Sequence, residues 1–177
     1  AVDGAAALSL RSVARELGMV SSAVYRYVAS RDDLLTRLII ESYDAIGDAA
    51  ETADQQAEDA PHADRFVAVA AAIRHWAVEH PHEYALVHGS PVPGYAAPGD
   101  TIEPAIRVPR VLAGIVVDAR AAGRAGPVGI PAGRLPLAVR EDVDRILAEL
   151  VPEVELPAEV VVAMVAAWTQ LYGFISF

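Results

Sequence analysis

The chain has 177 residues, of which 54% are hydrophobic, and a formal net charge of −10. A chain of this length and apolar content can bury a substantial core, which excludes global disorder. It contains no cysteine, which excludes disulfides, thiolate chemistry and cysteine-based zinc sites.

The acidity is unevenly distributed along the chain. Residues 1–37 carry five arginines and four acidic residues, whereas residues 38–177 carry nine arginines and twenty acidic residues. An acidic body disfavours non-specific contact with DNA. Any nucleic acid would therefore approach the one small, less acidic surface near the start of the chain.

The first predicted element is a short helix. Leu10, Ala14 and Leu17 recur at helical spacing, and Ser9 stands where its side-chain oxygen can accept a hydrogen bond from a first-turn amide. Gly18 follows at the position of a left-handed C-terminal cap, because a residue without a Cβ adopts a positive φ at little cost. We therefore expect a helix of roughly two turns followed by a tight turn.

A second helix is predicted directly after this turn. Ser21 or Ser22 can cap it, and Val24 and Val28 lie on the face that would contact the first helix. Two helices joined by such a turn form a helix-turn-helix, whose second helix enters the major groove of DNA. The side chains left on or near the exposed side are Ser22, Tyr25, Arg26 and Tyr27.

A third predicted helix begins with a capping box formed by Ser30 and Asp33. Its free first-turn amides, together with Arg31, suit a phosphate group. An apolar stripe then continues to about Ala53, so this helix leaves the DNA-binding segment and enters the rest of the chain. The polar segment 51–64 is the first predicted connection.

The middle of the chain is also predicted to be helical. Apolar residues at helical spacing indicate a long helix from Phe66, which ends before Pro81 because a proline disfavours helical geometry in the residue ahead of it. A shorter helix follows, and residues 90–100 form a loop because they contain three prolines and two glycines. The next helix restarts at Thr101, and Pro109 should kink it.

Two helices are predicted at the end of the chain. A Gly- and Pro-rich connection over 123–136 precedes a helix over 139–150 and a last helix that begins near Pro157. No period-2 strand pattern of useful length is present, so the predicted fold class is all-α.

The last helix has apolar residues on more than one face, so it must be covered on more than one side. We expect a second copy of the chain to cover it, with a four-helix interface about a two-fold axis. Two DNA-binding segments related by this axis would lie about 34–36 Å apart, or a multiple of that distance, which predicts a palindromic operator.

The sequence gives no indication of a membrane partner. The longest fully apolar run, Val160 to Trp168, has nine residues, and a spanning helix needs ~20. No signal-like segment is visible at the start of the chain. We therefore expect a cytoplasmic protein.

The helix-turn-helix segment carries a family resemblance. The run L-S-L-R-x-V-A-R-E-L-G, followed by S-S-A-V-Y-R-Y and S-R-D-D-L-L, resembles the DNA-binding domain of the TetR family of one-component repressors. Residues 76–98 and 168–177 are similar to the ligand-sensing C-terminal domain of one TetR branch, often called the WHG domain. In this family a complete first helix precedes the position of Leu8, where only AVDGAAA stands. We therefore expect N-terminal residues to be missing from this sequence, and the chain to stop early inside its last helix.

The resemblance implies a helix-turn-helix DNA-binding domain over residues 1–46, joined by a long helix to a helical ligand-binding and dimerisation domain over 47–177. Phosphate contacts position a protein on DNA, and base contacts specify the sequence. Ser9 could touch a phosphate, although a simple cap explains it equally well. The predicted phosphate contacts are Tyr25, Tyr27 and Arg31, and the predicted base contacts are Ser21, Ser22 and Arg26.

The predicted effector is mostly apolar with one polar end, and it lies among the helices from Phe66 to Ala119, with the kinked segment at Pro109 as one wall. Taken singly, the candidate ligand-binding residues are more often core residues than pocket residues. They are Trp76, Tyr84, His88, Tyr95, Arg107, Met164, Trp168 and Tyr172.

Metal binding and catalysis are the main competing interpretations. Four histidines and two glutamates occur over 75–88, but only His75 and Glu79 have the i,i+4 ligand spacing of a helix. The chain has no G-x-S-x-G, Gly-rich phosphate loop or H-E-x-x-H motif. We therefore predict no metal site, no cofactor and no enzymatic activity.

The favoured function is a homodimeric transcriptional repressor that a small molecule releases from a palindromic operator. One alternative is a constitutive DNA-binding dimer without an effector. Another is a helical ligand carrier or enzyme that does not bind DNA.

Overall fold

A computed structural model describes residues 7–124, 135–150, 152 and 156–176. Within these residues the chain is helical and contains no strand, so the prediction of an all-α fold is confirmed. A 3₁₀ turn, Gly99–Thr101, precedes the sixth helix. The helices are α1 (Leu10–Glu16), α2 (Ser21–Val24), α3 (Arg31–Gln56), α4 (His62–Glu79), α5 (Pro81–His88), α6 (Ile102–Ala121), α7 (Leu137–Leu150) and α8 (Ala158–Ser176).

The chain divides into two compact units. Unit 1 comprises Ala1–Ile46 and Trp76–Ala105, and unit 2 comprises Gly47–His75 and Ile106–Phe177. Unit 1 therefore adds α5, the loop behind it and the start of α6 to the residues of the predicted DNA-binding domain. Helices α3, α4 and α6 each contribute residues to both units. The predicted domains, 1–46 and 47–177, follow a different partition and stay a prediction.

Both ends of α1 have the predicted caps. Ser9 Oγ accepts a hydrogen bond from the Ser12 amide at 3.2 Å. At the other end Gly18 has φ +64°, and its amide donates to the Arg15 carbonyl at 3.2 Å while the Met19 amide donates to the Ala14 carbonyl at 2.8 Å. These paired bonds satisfy carbonyls that the helix end would otherwise leave unmet.

The predicted cap of α2 is wrong. The helix begins at Ser21, with Val20 in the N-cap position and no side-chain hydrogen bond there. Ser21 and Ser22 thus lie within the first turn, where the N-cap geometry that lets a hydroxyl accept a first-turn amide is absent. Helix α2 has four residues, and the chain continues to Val28 in further turns.

The start of α3 has the predicted capping pair, with one shift. Ser30 Oγ accepts from the Asp33 amide at 3.0 Å, and Asp33 Oδ2 accepts from the Ala29 amide at 2.8 Å. The carboxylate thus reaches one residue farther back than in the usual capping box. The hydrogen bond from the Ala29 amide lowers the pKa of Asp33 most, and the hydrogen bond from Arg37 lowers it further.

Helix α3 runs to Gln56 and α4 begins at His62, so the polar connection predicted over 51–64 is confined to 57–61. Residues 51–56 remain helical because glutamate, alanine and glutamine are strong helix formers despite their polarity. The predicted ends of α4 and α5 are close to those observed. Most of the predicted connection over 123–136 lies outside the described residues.

Two arginines link the helices of unit 2. Arg65 of α4 donates through Nε to Asp54 Oδ1 of α3 at 2.9 Å and through Nη1 to Asp118 Oδ2 of α6 at 2.8 Å. Its side chain is only 12% exposed. The hydrogen bonds to these two carboxylates raise the pKa of Arg65 above its usual value. One guanidinium therefore joins three helices.

Arg107 of α6 makes the second link. Its Nε donates to Glu51 Oε1 at 2.9 Å and its Nη2 to Glu51 Oε2 at 2.7 Å. Nη2 also pairs with Asp48. Gly47 permits this approach, because a Cβ there would lie 2.9 Å from Arg107 Nε and 3.1 Å from Arg107 Cβ. The absence of a side chain at Gly47 thus lets α3 and α6 approach each other within unit 2.

Replacing Gly47 by alanine should destabilise the protein by about 1 kcal/mol. The new methyl group must displace Arg107, and the overpacking outweighs the ~0.5–1 kcal/mol that alanine gains over glycine in a helix. Gly114→Ala in α6 is the matched control, since a Cβ there meets no atom within 4 Å. It should stabilise by about 0.5–1 kcal/mol. Urea unfolding measures both, and stabilisation by Gly47→Ala would contradict this account.

Candidate nucleic-acid interface

A small apolar core holds the helix-turn-helix segment of unit 1 together. It consists of Leu10 and Ala14 from α1 with Val24 and Val28 from the second half of the motif. Leu34 of α3 packs against it. Val24 and Val28 therefore face the first helix, as their spacing predicted.

The opposite side of this segment is polar and exposed. We call it the polar face, and its members are Ser21, Ser22, Tyr25, Arg26 and Tyr27. The two tyrosines are 58% and 66% exposed, which is high for large aromatic residues. Hydroxyl, phenol and guanidinium groups are the donors that contact phosphates and base edges in DNA complexes.

Arg31 lies at the start of α3 and is largely occupied within unit 1. Its Nε donates to the Leu8 carbonyl at 2.9 Å, and its Nη1 lies 3.5 Å from Asp32 Oδ1. These contacts give Arg31 a structural role, since they fix the residue that leads into α1. Its predicted phosphate contact stays a prediction. Ser9 is exposed and is accounted for as the cap of α1.

Sequence reasoning missed the contacts that join α3 to the segment 76–105. The Tyr95 hydroxyl lies 2.8 Å from Thr36 Oγ1, and the Tyr43 hydroxyl donates to the Val87 carbonyl at 3.2 Å. Each partner is more than 40 positions away along the chain, beyond the reach of helical periodicity. These bonds bring α5 and the loop behind it onto the first half of α3.

Four predicted ligand residues lie in this packed part of unit 1. Trp76 is buried, with its ring centroid 5.3 Å from that of His80. The His88 ring lies 5.1 Å from Tyr84 and 6.1 Å from Tyr43, centroid to centroid. Burial lowers the pKa of His88 to about 4 and raises that of Tyr43. Tyr95 bonds to Thr36 as above, so all four side chains have structural contacts.

A cavity of about 230 Å³ lies in unit 2. We call it the unit 2 cavity. Its residues come from α6, α7 and α8, and they are Pro109, Leu112, Ile146, Glu149, Val161, Met164, Val165 and Trp168.

Two of the predicted ligand residues, Met164 and Trp168, line this cavity, and Pro109 forms part of its wall. Tyr172 does not line it, and its ring stacks edge-on against Trp168 at 5.2 Å between centroids. Arg107 is held by its two carboxylate partners and is likewise not among the lining residues. Among the described residues no group of three or more potential metal ligands is present.

Helix α8 is apolar and poorly covered. Val160 and Val161 are buried, whereas Val165, Trp168 and Phe174 are exposed, and Phe174 is 79% exposed. By length and composition α8 could also cross a membrane. The longest uninterrupted apolar run does not show this, because Thr169 and Gln170 interrupt the apolar residues without adding charge. The core helix of a soluble protein passes the same test of length and composition.

Comparisons with known proteins agree over most of the chain. Residues 66–177 match the family described as "Tetracyclin repressor-like, C-terminal domain". The HTH-type transcriptional regulators Mb1846 of Mycobacterium bovis and Rv1816 of Mycobacterium tuberculosis are each 46% identical over 148 residues. That match covers 82% of this chain and 62% of each relative. The chain therefore spans less than two thirds of their length.

Two solved structures are similar over nearly the whole chain. The crystal structure of SCO4313, described as a regulatory protein, has a TM-score of 0.66 and 33% sequence identity to this chain. The match covers 97% of this chain and 73% of the SCO4313 chain. A protein with unknown function from Rhodococcus sp. RHA1 has a TM-score of 0.58 and 28% identity, with coverage of 93% and 83%.

His88 should make the stability of the protein depend on pH. Its folded-state pKa of about 4 lies below the usual 6.5, so unfolded chains bind the proton first as the pH falls. The stabilisation is complete above pH 6.5 and is lost towards pH 4, by about 1–2 kcal/mol after allowance for partial exposure.

Urea unfolding at pH 7.5 and pH 5 measures this effect. His88→Phe should lose less stability between the two values than the wild type, because it removes the titrating group. His82→Phe, at an exposed position of the same helix, should lose as much as the wild type. Equal losses in all three proteins would show that His88 is not the cause.

Proposed function

The chain belongs to the TetR family of transcriptional regulators, and we propose that it is a homodimeric repressor released from a palindromic operator by a small molecule. It is a regulator and not an enzyme. The polar face of unit 1, held outward by the apolar core beneath it, is the observation that carries the DNA-binding part of the proposal.

The polar face has the chemistry for both kinds of DNA contact. Arg26 is exposed and makes no ion pair with another described residue, so its guanidinium is available for a base edge such as that of guanine. The phenols of Tyr25 and Tyr27 can donate to phosphates. Ser21 and Ser22 stand at the start of α2, where side chains of a recognition helix contact bases.

In our proposal Arg31 stabilises the helix-turn-helix that presents the polar face. Its hydrogen bond to the Leu8 carbonyl ties the start of α3 to the residue ahead of the Ser9 cap. The guanidinium has further N–H groups, which leaves a phosphate contact compatible with this bond. We therefore place its main contribution in the geometry of the helix-turn-helix.

A second copy of the chain is the proposed cover for α8. Val165, Trp168 and Phe174 are exposed apolar side chains of this helix, and α7 packs beside it. Val165 and Trp168 also line the unit 2 cavity, whereas Phe174 does not. Monomeric soluble proteins rarely leave large contiguous apolar patches in water. A two-fold pair of α7–α8 hairpins would bury these side chains and present two polar faces to a palindromic site. A regulator of this kind acts on DNA in the cytoplasm.

The unit 2 cavity is the proposed effector site. Helix α3 runs without a break from the capping box in unit 1 to the ion pairs of unit 2. A ligand that binds better to one arrangement of unit 2 would favour the matching tilt of α3. It can shift DNA binding only by the difference between its affinities for the two states.

One observation favours the alternative of a constitutive DNA-binding dimer. The cavity volume of about 230 Å³ is below the ~300–1,000 Å³ usual for sites that bind drug-sized ligands. A small effector would fit in this volume. The same volume is also compatible with a cavity that binds no ligand. Thermal shifts of the full-length protein across a metabolite library distinguish the two, because only the regulated dimer should be stabilised.

Arg26→Ala should weaken operator binding about 10- to 100-fold and relax sequence preference, because a base contact contributes ~1–3 kcal/mol of discrimination. Arg74→Ala removes the same charge from an exposed position of α4 and should change affinity by less than about threefold. Fluorescence anisotropy with selected and scrambled duplexes measures both. Equal effects of the two substitutions would argue against a base contact.

Phe174→Glu should convert the dimer to a monomer in the full-length protein, since it places a charge within the proposed interface. Val67→Glu, at an exposed apolar position of α4, should remain dimeric. Sedimentation equilibrium gives the masses. A dimer that survives Phe174→Glu, or a wild-type protein that partitions into membranes, would contradict the proposed role of α8.

A further inference from the structure

The charge of the unit 2 cavity is one-sided. Seven of its eight lining residues are uncharged, and the remaining one is Glu149 of α7. No arginine lines the cavity among the described residues. The wall is therefore apolar, with a single negative group at its edge.

Glu149 is exposed and makes no hydrogen bond or ion pair within the described part of the chain. A carboxylate beside an apolar wall attracts a cation and repels an anion. No described residue neutralises its charge, so a cationic ligand in the cavity would gain from it.

Trp168 also favours a cationic ligand over a neutral or anionic one. Its indole lines the cavity and is 37% exposed. The face of a tryptophan ring attracts ammonium groups through its quadrupole. Met164 beside it supplies a polarisable, adaptable contact for the apolar part of a ligand.

The group that would favour an acidic ligand is occupied elsewhere. Arg107 was one of the predicted ligand-binding residues, but Glu51 holds it with two hydrogen bonds and Asp48 pairs with it as well. A carboxylate or phosphate ligand would therefore meet Glu149 without a compensating arginine among the lining residues.

We propose that the unit 2 cavity binds a small apolar cation, such as a tertiary or quaternary amine with a hydrophobic group. Its hydrophobic part would contact the aliphatic wall, and its ammonium would lie between Glu149 and the indole of Trp168. Its role as the effector rests on the proposed function, whereas its binding to the cavity does not.

Three probes of similar size test the proposal by calorimetry on the full-length protein. They are benzyltrimethylammonium, its neutral isostere neopentylbenzene, and the anion 4-phenylbutanoate. The cation should bind about five- to tenfold more tightly than the neutral isostere, as expected for an exposed ion pair combined with a cation–π contact. The anion should bind most weakly.

Two substitutions in α7 locate the charge effect. Glu149→Gln should remove the preference for the cation over the isostere, whereas Glu141→Gln, an equal charge change outside the cavity lining, should retain it. The chain has two tryptophans, so Trp76→Phe leaves the fluorescence of Trp168 as a local reporter. Calorimetry on the unsubstituted protein keeps the test valid if that variant folds poorly.

Equal affinity for the cation and its isostere, preference for the anion, or no binding of any probe would overturn the inference. An operator assay separates it from the proposed function. If the cation binds with a preference that depends on Glu149 but leaves DNA affinity unchanged, the ligand class is supported and the effector role fails. If only the neutral or anionic probe releases DNA, the proposed function is supported and the ligand class fails.

Discussion

The burial of four small and medium apolar side chains sets the orientation of everything that unit 1 presents to solvent. Leu10, Ala14, Val24 and Val28 pack together. Among the described residues, no ion pair or disulfide joins α1 to α2, so this packing holds the two helices together. Because α2 has only four residues, its orientation depends on this packing. With Val24 and Val28 inside, Tyr25, Arg26 and Tyr27 must project outward.

Helix α3 is fixed by different forces along its length. In unit 1 it is held by the capping pair at its start, by the ion pair between Arg37 and Asp33, and by the hydrogen bond between Thr36 and Tyr95. In unit 2 charge pairs hold it, through Arg65 and Arg107.

The sequence predicted those features that depend on local spacing. The helices, the cap at Ser9, the positive φ at Gly18 and the capping pair at Ser30 all depend on residues within one turn of each other. The N-cap of α2 was wrong because two adjacent serines are both good caps, and composition cannot choose between them and the residue ahead. The end of α3 was misjudged because polar residues were read as a connection.

The remaining differences come from contacts between distant residues. The ligand contact of Arg107 stays a prediction, and local spacing did not indicate its observed partners, Asp48 and Glu51, because they lie more than 50 positions earlier. The same holds for Tyr95 and Thr36, which bring residues 76–105 into unit 1. Helical periodicity shows which side chains are buried, but it does not show which distant charge or hydroxyl each one meets.

The most direct test of the central claim is an amide chemical-shift map of the full-length protein titrated with a selected operator duplex. The account predicts that the largest changes fall on the segment from Ser21 to Val28 and at the starts of α1 and α3, with little change along α8. Shifts confined to other surfaces, with the Ser21–Val28 signals unchanged at saturating DNA, would contradict it.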